Sequence, residues 1–385
     1  MSFTFNTTKS IVNEPNSSSE LAHYCHTLNI TKVLLVTDPG IVKLDLHQKM
    51  LASLQASSIS YELFSEVEVD PPIAVIEHAL SFAKQHKIDG VVGLGGGSSL
   101  DTAKLIAALA YSSQTLDEVF GIDKLLHKRL PLIQIPTTAG TGSEVTPISI
   151  VTTGEAMKMG IVSSVLLPDI ALLDASLTLK LPPHITAATG IDAMVHAIEA
   201  FTSNIKKNPY SDMLAIEALK LMSKNIQQAV HQGSDLQARA NMMLGATMAG
   251  QAFANAPVAG VHALAYPLGG HYHIPHGLSN SLVLPHVLRF NAPAAAPLYA
   301  ELADTIIPNT TSTLTTAEEK TTAFIQYLED LINNLKLPNR LASVDIPQSA
   351  LPMLAKDALK QERLLVNNPR PMNEADILAI YQAAF

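Results

Sequence analysis

The chain has 385 residues, with 34 acidic and 25 basic side chains and a net charge of −9. That length exceeds one typical core, so two domains are expected, and the negative balance disfavours nucleic acid or an anionic membrane as partner, since both need basic patches. The single cysteine, Cys25, cannot form an intrachain disulfide and fits a reducing, cytoplasmic setting, and residues 1–6 lack the basic-then-apolar order of a secretory leader.

The first half alternates two periods. KVLLVT at 32–37 is a short apolar run closed by Asp38-Pro39-Gly40, a turn signal. IAVIEHALSFAKQH at 73–86 has helical spacing, GVVGL at 90–94 reads as a buried strand, LDTAKLIAALA at 100–110 as a helix, and LIQIP at 132–136 as a third strand. Such alternation predicts an α/β domain on a parallel sheet. An acid at Asp38, ending the first strand, suits ribose hydroxyls and repels a 2′-phosphate, which favours NAD over NADP; the same residues are equally compatible with a plain turn.

Two loops follow strands. Gly95-Gly96-Gly97-Ser98-Ser99-Leu100-Asp101 opens a helix, and its glycines let a backbone approach a ligand while the helix N-terminus offers free N–H groups to a pyrophosphate. A capping arrangement, with Ser98 as N-cap and Asp101 three residues on, explains the serine and the acid but not three consecutive glycines. Pro136-Thr137-Thr138-Ala139-Gly140-Thr141-Gly142-Ser143-Glu144 is a polar turn or a second wall for the same ligand. Two such loops favour binding, because ligands collect at the carboxyl ends of parallel strands.

Leu181-Pro182-Pro183 reads as the hinge between a nucleotide-binding domain (1–181) and a helical domain (182–385), since from about Ile185 the periods are mostly helical. Asp192 and His196 stand four apart in GIDAMVHAIE and so share a helix face; taken alone, the pair reads better as a surface pair than as metal ligands. No Asp, Glu, Lys or Arg occurs between Arg239 and Arg289. A hydropathy scan could flag part of that stretch as membrane-spanning, but it is rich in Ala and Gly, broken at Pro257, Pro267 and Pro275, and holds His262, His271, His273 and His276. It is expected to form buried helices around a polar site, because ionisable groups in an apolar interior are costly without a use. One Asp with several imidazoles suits iron(II), zinc or a similar first-row ion and offers too few oxygens for calcium. PNTTST at 308–313 reads as a surface loop.

GGGSSLDTAK, IPTTAGTGSEVT, GIDAMVHAIEA, HALAYPLGGHYHIPHG and LSNSLVLPHVLRFN together resemble the iron-containing (group III) alcohol dehydrogenase family, over most of the chain but weakly at its start and after Asn291. The resemblance implies an N-terminal dinucleotide-binding α/β domain and an all-α C-terminal domain, a dehydroquinate synthase-like architecture, with the active site in the cleft between them. It implies Asp192, His196, His262 and His276 as the metal quartet, holding Fe2+ with Zn2+ as the alternative. It places Gly95, Gly96, Gly97 and Ser98 at the phosphates of NAD, Asp101, Thr137, Thr138 and Thr141 around the cofactor, Asp38 near the adenosine ribose, and Lys158 as a further cofactor contact. The implied reaction moves a hydride between a primary alcohol or aldehyde and NAD(H), with the substrate oxygen at the metal's open position, in a homodimer. Some family members carry a histidine near the nicotinamide where this chain has Tyr266, so any proton relay falls to Tyr266, His271 or His273. A polyol dehydrogenase or a maleylacetate-type reductase would use the same scaffold. A zinc lyase resembling dehydroquinate synthase would need a basic site that the second histidine cluster lacks. A non-enzymatic metal-binding module would take up metal without nucleotide affinity, and the two glycine-bearing loops speak against it.

Overall fold

A computed structural model of the protein describes residues 2–154, 157–308 and 314–385. Residues 309–313, most of the predicted 308–313 loop, lie outside them.

The short apolar runs of the first half become strands β1 (Ser10–Asn13), β2 (Lys32–Val36), β3 (Ser60–Phe64), β4 (Gly90–Gly95), β5 (Gly121–Ile122), β6 (Leu132–Pro136), β7 (Ile148–Thr153), β8 (Met157–Val162) and β9 (Ile170–Leu173). Six of them form one sheet in the order β1-β9-β6-β4-β2-β3, with every pairing parallel. Strands β4, β6 and β9 are buried at every residue, which is why they are apolar almost throughout, Gln134 excepted, rather than alternating with polar positions. Side chains alternate across the sheet. Val33 and Leu35 pack on one face with Leu21, Met50 and Leu54, from α1 (Leu21–Thr27) and α3 (Gln48–Ala56). Leu34 and Val36 pack on the other with Ala79, Ala83, Ala103 and Ile106, from α4 (Ile73–His86) and α5 (Gly97–Leu109). Sequence reading anticipated β2, β4 and β6. It did not anticipate β3 or β9, whose five- and four-residue runs carry little periodicity of their own. Between β2 and α3, α2 (Pro39–Lys43) is capped by Asp38, whose Oδ1 accepts the Ile41 N–H, so the Asp-Pro-Gly turn is a helix start. Strands β7 and β8 pair antiparallel, and β5 joins β8, in a smaller sheet.

The chain forms two compact units, residues 6–180 and residues 181–385, the second also including the N-terminal stretch that ends at Phe5. The reason for the latter is local: the rings of Phe3 and Phe5 lie 5.7 and 5.6 Å from that of Tyr210. The second unit is helical: α6 (Pro183–Thr202), α7 (Pro209–His231), α8 (Leu236–Asn255), α9 (Gly260–Tyr272), α10 (His276–Ile306), α11 (Ala317–Asn334), α12 (Leu351–Leu359), α13 (Glu362–Leu365) and α14 (Glu374–Ala384). Pro183 starts α6 at a position where its missing N–H costs nothing. The charge-free run is divided among α8, α9 and α10, and among the described residues no helix is long and apolar enough to cross a membrane. One expected break is absent. Pro267 lies inside α9, whose Ala263, Leu264 and Leu268 are fully buried; tertiary packing there outweighs the local cost of proline. Pro257 lies in the α8–α9 connection and Pro275 is the N-cap of α10, so those two do end helices.

Candidate metal and nucleotide sites

Helix α6 places Asp192, His196 and Glu199 at i, i+4 and i+7, which line one face. Helix α9 brings His262 to that face, and His276 is the first residue of α10. One ligand atom from each of Asp192, His196, His262 and His276 lies within 4.8 Å of all the others. From Asp192 Oδ1 the distances are 3.6 Å to His276 Nε2, 3.7 Å to His262 Nε2 and 4.0 Å to His196 Nε2. The first three side chains are at most 5% exposed, whereas His276 is 30% exposed, so the cluster is closed on the α6 side and reachable from that of His276.

Several neighbours were not singled out from the sequence. Asn280, one turn after His276, donates from Nδ2 to Asp192 Oδ1 at 2.6 Å and lies 3.3 Å from both His262 Nε2 and His276 Nε2. Glu199 takes the Val261 N–H on Oε1 at 2.6 Å and the Ala259 N–H on Oε2 at 2.9 Å, with His262 Nδ1 2.7 Å from Oε2. Losing that carboxylate would leave buried N–H donors unpaired, at about 1–3 kcal/mol each. The ring of Phe253 stacks on that of His196 at 4.3 Å, and the Tyr266 ring lies 5.9 Å from that of His276. The usable sequence signals were the seven-residue step from Asp192 to Glu199 and the four-residue step from His276 to Asn280, both of which return to the same helix face.

Burial by itself raises the Asp192 carboxyl, but His196, His276 and His262, helped by the Asn280 amide, outweigh it and hold the carboxyl below its ordinary value. One buried carboxylate beside three imidazoles is the donor set of a first-row divalent ion. The residues therefore fit the metal that the resemblance implies.

The first unit assembles the glycine and threonine loops. Strands β2, β4 and β6 lie side by side, with Val36 opposite Gly93 and Gly95 opposite Pro136, so Asp38, Gly96 and Thr137 leave the sheet at one end. Gly96 is the N-cap of α5 and no side chain caps that helix. The capping alternative therefore does not hold, and the N–H groups of the first turn have no intrahelical acceptor. Gly95 sits at φ +145°, a conformation L side chains rarely adopt. A Cβ at Gly97 would come 2.9 Å from Thr141 Cγ2, so the two loops abut there. Ser98 Oγ accepts the Asp70 N–H, and Lys158 Nζ pairs with Asp70 Oδ1 at 2.7 Å, which joins both residues to the 68–72 segment. Asp38 Oδ2 accepts from Ser99 Oγ at 3.3 Å.

Asp101 has an internal role. Its Oδ1 accepts from Ser143 Oγ at 2.5 Å and faces Lys104 Nζ at 3.4 Å, while Oδ2 accepts the Ile150 N–H. Lys104, fully buried, also donates to Ser143 Oγ, Thr146 Oγ1 and the Ile148 carbonyl, tying α5 to the threonine loop. Burial lowers its pKa, against the pull of Asp101 and Glu144. Nothing in the sequence distinguished this lysine beyond its being the one charge within TAKLIAALA. Of the relay candidates, Tyr266 adjoins the histidine cluster; His271 Nε2 is 2.6 Å from Asp357 Oδ2 on α12; His273 is exposed and ends α9 in the left-handed conformation.

The profile of "Iron-containing alcohol dehydrogenase" matches residues 8–175, and that of "Fe-containing alcohol dehydrogenase family, C-terminal" matches residues 186–385. The chain belongs to the iron-containing alcohol dehydrogenase family. As a member it is an oxidoreductase of the iron-type alcohol and diol dehydrogenase class. It is 43% identical over 361 residues to long-chain-alcohol dehydrogenase 1 of Geobacillus thermodenitrificans, a match covering 93% of this chain and 90% of that protein. A crystal structure of a 1,3-propanediol oxidoreductase of this family superposes over the full length of both chains with a TM-score of 0.96 and 35% identity. That of sulfoacetaldehyde reductase from Bifidobacterium kashiwanohense in complex with NAD+ covers 100% of this chain and 99% of its own, with a TM-score of 0.89 and 27% identity. The family assignment and the fold expected from the sequence, a parallel α/β region followed by a helical one, both hold.

Proposed function

We propose that the protein transfers a hydride between a primary alcohol, or its aldehyde, and NAD(H), using one divalent metal, iron in the first place and zinc as the alternative. The observation that carries this reading is the convergence of Asp192, His196, His262 and His276 on one point. A divalent ion held by these residues supplies Lewis-acid polarisation of a carbon–oxygen bond, and the nicotinamide supplies the hydride chemistry. The chain's own groups do the rest. Asp192 and the three imidazoles offer lone pairs toward one centre. The uncapped first turn of α5, with Gly96, Gly97 and Ser98, offers N–H donors to a pyrophosphate, and Thr137, Thr138 and Thr141 border it. Asp38, at the end of β2, disfavours a 2′-phosphate and so favours NAD. Of the relay candidates Tyr266, His271 and His273, Tyr266 is the one that adjoins the cluster, which favours it for the proton transfer.

Residues 6–180 would then be the nucleotide-binding domain and the unit from Leu181 the metal-binding one. The substrates named for the related proteins, a long-chain alcohol, 1,3-propanediol and sulfoacetaldehyde, share a terminal alcohol or aldehyde carbon. Diol oxidation is therefore the second reading, favoured by the 1,3-propanediol relative. The deciding assay follows reduced-nicotinamide absorbance with primary alcohols and diols, NAD against NADP, before and after chelation and reloading with Fe2+ or Zn2+. Chelation should abolish turnover and reloading restore it, and Asp192→Ala should hold no stoichiometric metal. Turnover indifferent to chelation, or full metal content in Asp192→Ala, would overturn the proposal.

A further inference from the structure

We infer that Glu199 is the positioning residue of the metal centre: it fixes His262 with its proton on Nδ1, so that the Nε2 lone pair faces the site. The inference rests on the metal-centre reading above and adds to it a residue that no ligand set contains. A neutral imidazole carries one N–H, and the nitrogen without it is the one that can ligate. Glu199, 3% exposed, accepts backbone N–H bonds on both carboxylate oxygens, from Val261 on Oε1 and Ala259 on Oε2. With both oxygens already accepting, the group 2.7 Å away at His262 Nδ1 is met by an acceptor and must donate. His262 Nε2 then holds a lone pair, and it faces Asp192 Oδ1 at 3.7 Å. Asn280 Nδ2 lies against both atoms, 2.6 Å from Asp192 Oδ1 and 3.3 Å from His262 Nε2, as a donor does between two acceptors, and two such acceptors suit a shared cation.

The arrangement also couples helices. Glu199 stands on α6, two turns beyond Asp192, and its backbone partners, Ala259 and Val261, flank the start of α9. One side chain thus sets both the ring orientation of His262 and the placement of the helix that carries it. A carboxylate also suits the positive end of a helix dipole. Partners of this kind, behind a metal-bound histidine, typically contribute about 10–100-fold to metal affinity.

Glu199→Gln tests the inference. An amide presents one oxygen and one NH2, so in either orientation a backbone N–H, that of Val261 or that of Ala259, meets a donor, and in the second orientation His262 Nδ1 meets it too. If the NH2 faces Nδ1, the imidazole proton moves to Nε2 and ligation is lost. Chelator-competition titrations with Zn2+ and Co2+ should show the wild-type apoprotein binding one ion. Glu199→Gln should bind it about 10–100-fold more weakly, with an altered Co2+ visible spectrum, and Glu199→Asp should recover part of the affinity. Affinity within twofold of wild type and an unchanged Co2+ spectrum in Glu199→Gln would overturn the proposal. Should that variant not fold, 15N-histidine spectra of the wild-type apoprotein decide the matter, with His262→Gln identifying the resonances. Protonated Nδ1 and unprotonated Nε2 are expected, and protonated Nε2 would overturn it. A wild-type chain that binds neither ion refutes the metal-centre reading instead, and the spectra still decide the role of Glu199.

Discussion

Gly277 follows His276 at the start of α10, where that helix crosses α6. A Cβ built there would lie 2.3 Å from the Ala188 carbonyl oxygen, 2.7 Å from its carbon and 3.3 Å from Asp192 Cβ. The first contact is a backbone atom of a buried helix and cannot swing aside. Reaching ordinary contact would require α10 to withdraw by roughly 1 Å, and overpacking of this kind costs about 1–3 kcal/mol. The site is less tolerant than the fold. His276 Nε2 is 3.6 Å from Asp192 Oδ1, close to the roughly 3.4 Å between tetrahedral ligands each about 2.1 Å from one ion, and a 1 Å withdrawal carries it away from that spacing. Gly277→Ala should therefore lower the apoprotein melting temperature by a few degrees while weakening Zn2+ and Co2+ affinity by about 10–100-fold, the loss typical when the groups that orient a metal-bound ligand are disturbed. Paired thermal melts and chelator-competition titrations of the apoprotein measure both. Wild-type metal affinity in a folded Gly277→Ala protein would refute the claim that the α6–α10 approach sets the distance between ligands.

Two further outcomes follow from groups in the first unit. Lys104→Met removes a buried cation and leaves Asp101 facing Ser143 and Ile150 without it, so it should destabilise by about 3–5 kcal/mol; Lys104→Met/Asp101→Asn should be less destabilised than the sum of the single variants, and additivity in a double-mutant cycle would contradict the clamp. At Asp169, burial raises the carboxyl, but Arg129, Lys9 and the Leu132 N–H outweigh it and leave its pKa below the ordinary value. Its contribution is thus present above the ordinary carboxylate pKa, about 4, and is lost as pH falls through the lower folded value. Asp169→Asn should show a shallower loss of stability in that acid window than wild type, and superimposable melting profiles from pH 5 down to 2.5 would refute it.

Much of the site was legible before any coordinates. The Asp192/His196 step reports a helix face by arithmetic, and a run without charges that keeps four histidines resists explanation as packing. What stayed hidden were the partners, which local spacing does not name. Glu199 and Asn280 look like ordinary members of helical segments until α9 and α10 bring their partners to them. Asp101 drew attention as a nucleotide contact, and the structure occupies both of its oxygens with Ser143, Lys104 and Ile150. Pro267 reads as a break, and burial of the residues around it carries α9 through.

The sequence by itself determined the short-range features of this protein. Alternating strand and helix periods marked the α/β half, glycines after β4 marked the start of α5, and helical spacing put Asp192 and His196 on one face, while the family resemblance picked out His262 and His276 from the four histidines of the charge-free run. Backbone sterics, capping and face periodicity depend on neighbours a few residues away, so they can be read in one dimension. The tertiary structure alone decided the distances: 3.6 to 4.0 Å from Asp192 to the imidazoles, and 2.7 Å from Glu199 to His262. Those depend on how closely α6, α9 and α10 pack, which is set by interactions across 60 to 90 residues of chain, as in the Glu199–Ala259 and Asp192–Asn280 bonds.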